Sequence, residues 1–207
     1  MKLLSKTIIL FFLVSLNLSC GPTIKRLVWH AKKPKVETEA SLRKFLQKED
    51  ITIEEIYCPK PESYFSYYWY ASPGQLFNKK NEFLTYISFQ GNGCMVNYSK
   101  LLNTIKPNNK SLRYDGEKKD SVDFHQFIQD LVFVNGKNHP LSIDSADYLL
   151  VIPFRKYLGN TLQTNDMRTF IKAAQTNPNS KIKIVLLNFD KQKWWGGEWI
   201  NKIKIYN

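Results

Sequence analysis

Asp147–Gly159 reads DYLLVIPFRKYLG, and Lys181–Gln192 reads KIKIVLLNFDKQ. Each carries a dense apolar run, at Tyr148–Ile152 and at Ile182–Phe189. Strands covered on both faces read this way, because neither face needs a polar side chain. Between them, NDMRTFIKAAQ (165–175) places Met167, Phe170, Ile171 and Ala174 at i, i+3, i+4 and i+7, with Pro178 just past the end. That spacing predicts an amphipathic helix. Strand, helix and strand in this order are most simply a right-handed crossover between adjacent parallel strands at the centre of a sheet. The loops after both strands then emerge at one edge. Arg155 and Lys156 follow the first strand; Asp190, Trp194 and Trp195 follow the second. In α/β folds that edge is where ligands usually bind. Two cations, a carboxylate and two indoles could receive an acidic group and an apolar face. The plainer expectation is that Asp190 pairs with Lys191 or Arg155 while the tryptophans fill a hydrophobic corner.

Working outward, helix signals recur at three more places. Thr38 can cap a helix through Lys48, with Leu42, Phe45 and Leu46 on one face. Met95, Tyr98, Leu102 and Ile105 mark a second, stopped by Pro107-Asn108-Asn109, and Ser121 opens a third carrying Phe124, Phe127, Ile128 and Leu131. Strand signals interleave: Ile51–Ile56 alternates, Gln75–Asn78 and Phe83–Phe89 flank Lys79-Lys80-Asn81 as a hairpin would, and Ile200–Tyr206 alternates Ile with Lys like an edge strand. These elements predict a single α/β domain over 38–207, a mixed sheet flanked by helices. Residues 147–192, about a quarter of the chain, resemble the first strand–helix–strand unit of a thioredoxin-like domain. The resemblance implies a C-x-x-C after the first strand, where a helix dipole lowers a thiol pKa. Here that place holds Pro153, Phe154, Arg155, Lys156 and Tyr157, so the redox site of that family is missing.

The N-terminus points to a location. Lys2 and Lys6 precede an apolar run from Ile8 to Val14, too short to span a bilayer and without the polar positions of a one-sided helix. A positive start, a short apolar middle and a small residue before a cut site mark a secretory signal. LNLSC (16–20) resembles a bacterial lipoprotein lipobox, although Asn17 stands where that pattern prefers Leu. The resemblance implies a signal peptide over 1–19, a lipidated Cys20 as the mature N-terminus, and a membrane held through its acyl chains. Residues 20–37 then form a flexible basic tether, with Lys25, Arg26, Lys32, Lys33 and Lys35. It lacks the acidic run that marks surface export in some Gram-negative groups, which points to an outer membrane, periplasm-facing position.

Composition sets the remaining bounds. The mature chain would keep 188 of 207 residues, and 43% hydrophobic with 14% aromatic residues is enough for a packed core. The formal charge is +12, or about +10 without Lys2 and Lys6. In an exported protein that charge suits anionic lipid, envelope polymers or acidic partners, and nucleic acid is not expected. An excess of lysine also simply keeps a surface soluble.

Chemical motifs are sparse. Cys58 and Cys94 could form one disulfide in an oxidising compartment or stay as two buried thiols. Cys94 sits in GNGCMVNYSKLL (91–102), a glycine loop entering a helix, which would favour a thiolate. With His125 or His139 as base it would make a cysteine hydrolase. Papain-like cell-wall peptidases use such a Cys–His–His set, but their Asp-Cys-Ser signature is absent, since Gly93 and Met95 flank Cys94. No HExxH, GxSxG, P-loop or dinucleotide fingerprint occurs, and neither a metal nor a cofactor is expected. The aromatic runs YFSYYWY (64–70) and WWGGEW (194–199) suit either a core or a recognition surface. The expectation is therefore a non-catalytic envelope lipoprotein that binds a partner protein or a cell-wall component, with a thiol enzyme, either thioredoxin-like or a Cys94 hydrolase, as the alternative.

Overall fold

The computed structural model describes residues 34–67, 74–87, 94–109, 122–158 and 161–203. The expected signal peptide over 1–19, Cys20, most of the expected tether, Tyr68–Tyr70, Ser88–Phe89, Gly91–Gly93, Ser121 and Lys204–Tyr206 lie outside the described residues. The chain order is β1 (Val36–Glu37), α1 (Glu39–Lys48), β2 (Ile56–Pro59), α2 (Tyr64–Tyr67), β3 (Gly74–Asn78) and β4 (Phe83–Ile87). It continues through α3 (Cys94–Thr104), α4 (Phe124–Gln129), β5 (Leu131–Phe133), β6 (Tyr148–Phe154) and α5 (Thr161–Gln175). It ends with β7 (Ile182–Asn188), β8 (Lys191–Gln192) and α6 (Gly196–Lys202).

Six strands form a mixed sheet in the order β4-β3-β6-β7-β2-β5, and β1 pairs with β8 in a separate parallel ribbon. β6 and β7 are the central pair, parallel and in register from Tyr148↔Ile182 to Phe154↔Asn188. This is the arrangement expected from the two apolar runs. β2 joins β7 in parallel, while β3 and β5 add antiparallel flanks and β4 closes the hairpin on β3. Every residue of β6 is buried, including Pro153. A proline is tolerated in this central strand because Phe154 O accepts from Phe189 N, which turns Phe154 toward β7 and its neighbour Pro153 toward β3. On that side the β3 ladder already ends at Gln75↔Val151.

The period-2 alternation divides the core into two layers. Tyr148, Leu150, Ile152 and Phe154 of β6, with Leu186 of β7, meet Leu42 and Leu46 of α1, Leu102 of α3, and Met167, Phe170 and Ala174 of α5. On the opposite face, Leu149, Val151, Val185 and Leu187 meet Tyr64 and Tyr67 of α2, Phe124 and Phe127 of α4, and Trp195 and Ile203. β2 and β4 run parallel to β6, so α1, α3 and α5 all direct their N-termini toward the carboxyl ends of the parallel strands. Asn177 Nδ2, just past α5, donates to Leu102 O (2.8 Å) and Ile105 O (3.0 Å) at the end of α3, which fixes the two helices side by side.

Three expectations are corrected. The early strand begins at Ile56 and not at Ile51; Ile51 and Ile53 pack into the core, and the Leu186 N–Glu55 O bond (3.0 Å) carries the contact with β7 one residue ahead of β2. The third helix ends at Gln129, and Leu131 starts β5, because the sheet edge beside β2 takes those backbone groups. Ile200–Lys202 belongs to α6 and not to an edge strand. There Trp195, Trp199 and Ile203 recur every fourth residue and face the second layer, a helical stripe masked in the sequence by Gly196-Gly197.

Candidate functional site

After β7 the extended chain brings Asn188, Asp190 and Gln192, two residues apart, onto one side. All three are buried. Asp190 Oδ2 accepts the Lys156 amide (2.8 Å) and Asn188 Nδ2 (2.8 Å), and Asn188 Oδ1 accepts the Asp190 amide (3.1 Å) and Gln192 Nε2 (2.7 Å). The network therefore clamps the loop after β6 to the loop after β7. The β1–β8 pairing sets Glu37 opposite Gln192, and Glu37 Oε2 takes Lys156 Nζ (2.5 Å) and the Ser41 hydroxyl (2.5 Å). Thr38 caps α1 through a reciprocal pair with Ser41, so the same carboxylate joins the helix start to the strand ends.

Burial pushes the Asp190 carboxyl up to about 6. The Lys156 and Asn188 hydrogen bonds hold it down, and the charge of Glu37 adds to the upward push. Asp190 is not paired with Lys191 or Arg155 by any ion pair among the described residues; its partners are amides. Arg155 is half-buried with its guanidinium 5.7 Å from the Phe189 ring centroid, and its backbone exchanges two hydrogen bonds with the Gln163 side chain in α5 (both 2.9 Å).

The two tryptophans separate. Trp195 is 4% exposed and packs edge-on against Tyr64, in the second layer. Trp194 is 36% exposed, donates Nε1 to Val134 O (3.0 Å) and covers Gly136. A Cβ at Gly136, whose φ is +82°, would lie 3.0 Å from Trp194 Cδ2, so this close approach needs glycine. Trp194 thus rests over the turn after β5, while Arg155 follows β6. Three strand spacings, about 14 Å of sheet, lie between β6 and β5. Of the expected set, Asp190 and Trp195 are buried, Arg155 and Lys156 are both half-buried at the end of β6, and Trp194 turns onto the loop after β5, which runs antiparallel and so lies beside the start of β2. Glu37, Ser41, Asn188, Gln163 and Gln192 were not singled out from the sequence; the polar residues at 188, 190 and 192, each two apart after a buried strand, were the available signal.

The thiol candidates do not converge. Cys58 is a free thiol, wholly buried in β2 between β5 and β7, and desolvation pushes its pKa far up. Cys94 opens α3, and its side chain lies outside the described residues. α3 covers the first layer, whereas His125 on α4 and His139, which meets the Phe133 ring at 4.9 Å, are exposed on the second-layer side. Among the described residues, no group of three or more His, Cys, Asp and Glu side chains is placed to hold a metal ion, and no helix is long and apolar enough to cross a membrane. No family model, curated protein or solved structure matches the chain.

Proposed function

We propose that the protein is a lipoprotein of the bacterial cell envelope, anchored through Cys20, that binds an envelope protein or a cell-wall component without turning over a substrate. The observation that carries the binding reading is the bonded polar frame at the ends of β6 and β7. Asp190, Asn188, Gln192, Glu37 and Lys156 are tied to one another and hold two loops and the start of α1 in place. Such a rigid frame suits recognition, since little ordering remains to be done on binding. Arg155, its guanidinium 5.7 Å from the Phe189 ring at the end of β6, is the cation for which an acidic group of the partner would compete with contacts inside the chain. It occupies the place where a thioredoxin-like protein carries its cysteines, which fits binding better than redox chemistry. The thiol-enzyme alternative is disfavoured by the sealed Cys58 and by the opposite placement of α3 and the two histidines.

Metabolic labelling with an alkyne fatty acid tests the anchor. Wild type should take label and Cys20→Ala should not; equal labelling, or none, removes the lipoprotein reading. Capture of a partner from solubilised membranes should fall at least tenfold with Arg155→Ala while the melting temperature is kept. Unchanged capture would take Arg155 out of the surface.

A further inference from the structure

We propose that the corner where the chain enters the domain lies against anionic lipid headgroups, so that the folded domain itself contacts the bilayer. The inference rests on the reading of Cys20 as the anchor, and adds a protein surface to it. β1 begins at Val36, sixteen residues after Cys20, and a fully extended tether of that length reaches at most about 55 Å. The Val36↔Lys191 pairing pins the point of entry to β8, so this corner is the part of the domain nearest to the lipid along the chain.

The side chains there suit a headgroup layer. Lys35, Lys193 and Lys202 are exposed. Among the described residues only three large hydrophobics are prominently exposed, and two of them, Val36 (43%) and Trp194 (36%), belong to this corner. Lys191 Nζ donates to Ile200 O (2.5 Å), which joins β8 to α6 as one surface, and Lys202 Nζ lies 4.5 Å over the Trp199 ring. Lysines stand at a bilayer–water boundary with the ammonium at the phosphates, and Trp194, whose N–H is already bonded to Val134 O, would present its exposed ring to the apolar side of that boundary. The bond from Trp194 to Val134 O holds the indole in its half-exposed position. Among the described residues, exposed Glu198 opposes this charge, half-buried Glu39 is paired with Arg43, and Glu37 is buried against Lys156. The tether extends the same sign with Lys25, Arg26, Lys32 and Lys33. An acidic protein would also attract these lysines, but the bilayer is the anionic surface that the tether keeps within reach.

The test uses the full chain, held by its own N-terminus in vesicles of phosphatidylcholine alone or mixed with phosphatidylglycerol. Tryptophan quenching by a lipid spin-labelled near its headgroup is the readout. In phosphatidylglycerol vesicles the wild type should be quenched, and Trp194→Phe should lose much of that quenching. A triple Lys35→Gln, Lys193→Gln, Lys202→Gln variant should shift the contact equilibrium by on the order of a hundredfold, and raised salt should do the same. Equal quenching in wild type and Trp194→Phe, or in the two lipid mixtures, would overturn the proposal. So would concentration-dependent shielding of Trp194 in detergent without lipid, which would assign the corner to a second copy of the chain. Failure of the anchor reading looks different: Cys20→Ala would then stay on phosphatidylcholine vesicles as well as wild type does, whatever Trp194 reports.

Discussion

Asp190 shows how a single side chain can serve the fold and cost it stability together. It is 1% exposed, and its hydrogen bonds join two loops, yet keeping it ionised at neutral pH works against burial. A carboxyl raised in the folded state from 3.8 to about 6 binds its proton more tightly folded than unfolded. Stability is therefore greatest below the unfolded value and falls as pH rises from about 4 through about 6, by about 3 kcal/mol for a shift of that size. Asp166, also raised to about 6 by burial, acts with the same sign. At Asp130 burial pushes upward, but hydrogen bonds from Gln126, Tyr67 and Ser63 together outweigh it and hold the carboxyl below its ordinary value, so it acts oppositely, losing stability only at more acid pH. Denaturant titrations across this range should show the wild type weakening between pH about 4 and about 6. Asp190→Asn, which keeps an acceptor for the Lys156 amide, should flatten much of that slope. An unchanged slope would mean that Asp190 does not titrate there.

At the scale of elements, the site depends on how short pieces are tied to long ones. β1 and β8 are two residues each, too short to persist alone, and they survive because Glu37 is bonded to Lys156 and Ser41 while Gln192 is bonded to Asn188. The cap of α1 is part of this tie, since Thr38 Oγ1 accepts from Ser41 N (3.2 Å). Thr38→Ala should cost about 1 kcal/mol, the ordinary value of an N-cap. Ser41→Ala should cost at least as much, because it removes the reciprocal cap and one of the two partners of Glu37. Chemical denaturation of the two variants measures both losses, and a Ser41→Ala protein as stable as wild type would contradict the linkage.

At the scale of the molecule, two layers of side chains on one sheet decide which chemistry is open to the protein. The first layer buries Cys58 completely, in the same cluster as Leu42 and Leu46 of α1. Native full-length protein treated with iodoacetamide without reductant should leave Cys58 unmodified, and denaturation should make it fully reactive. A Cys58–Cys94 linked peptide in such a map would contradict the free thiol. The same sheet keeps α3 apart from His125 and His139, so a cysteine hydrolase would need them to meet across three layers.

The elements built on strong local patterns were legible in the sequence. Two apolar runs with a helix of 3.6-residue period between them could hardly be anything other than adjacent buried parallel strands, and the Thr38 cap and the β3–β4 hairpin carry their own short-range signals. Where a segment's state depends on a partner far along the chain, the sequence misled. Leu131 continues a helical spacing but pairs with Pro59, and Ile200 alternates with lysines but turns its stripe onto the second layer. The site divides in the same way. That Arg155 and Lys156 come to the same edge as Asp190 follows from the parallel direction of β6 and β7. Which of the site residues is accessible was decided only by tertiary contacts: Glu37 reaching Lys156 from 119 residues away, and the β5 turn receiving Trp194 from 60 away. Burial is set by what packs on a side chain, and those partners come from sequence distances over which local patterns carry no information.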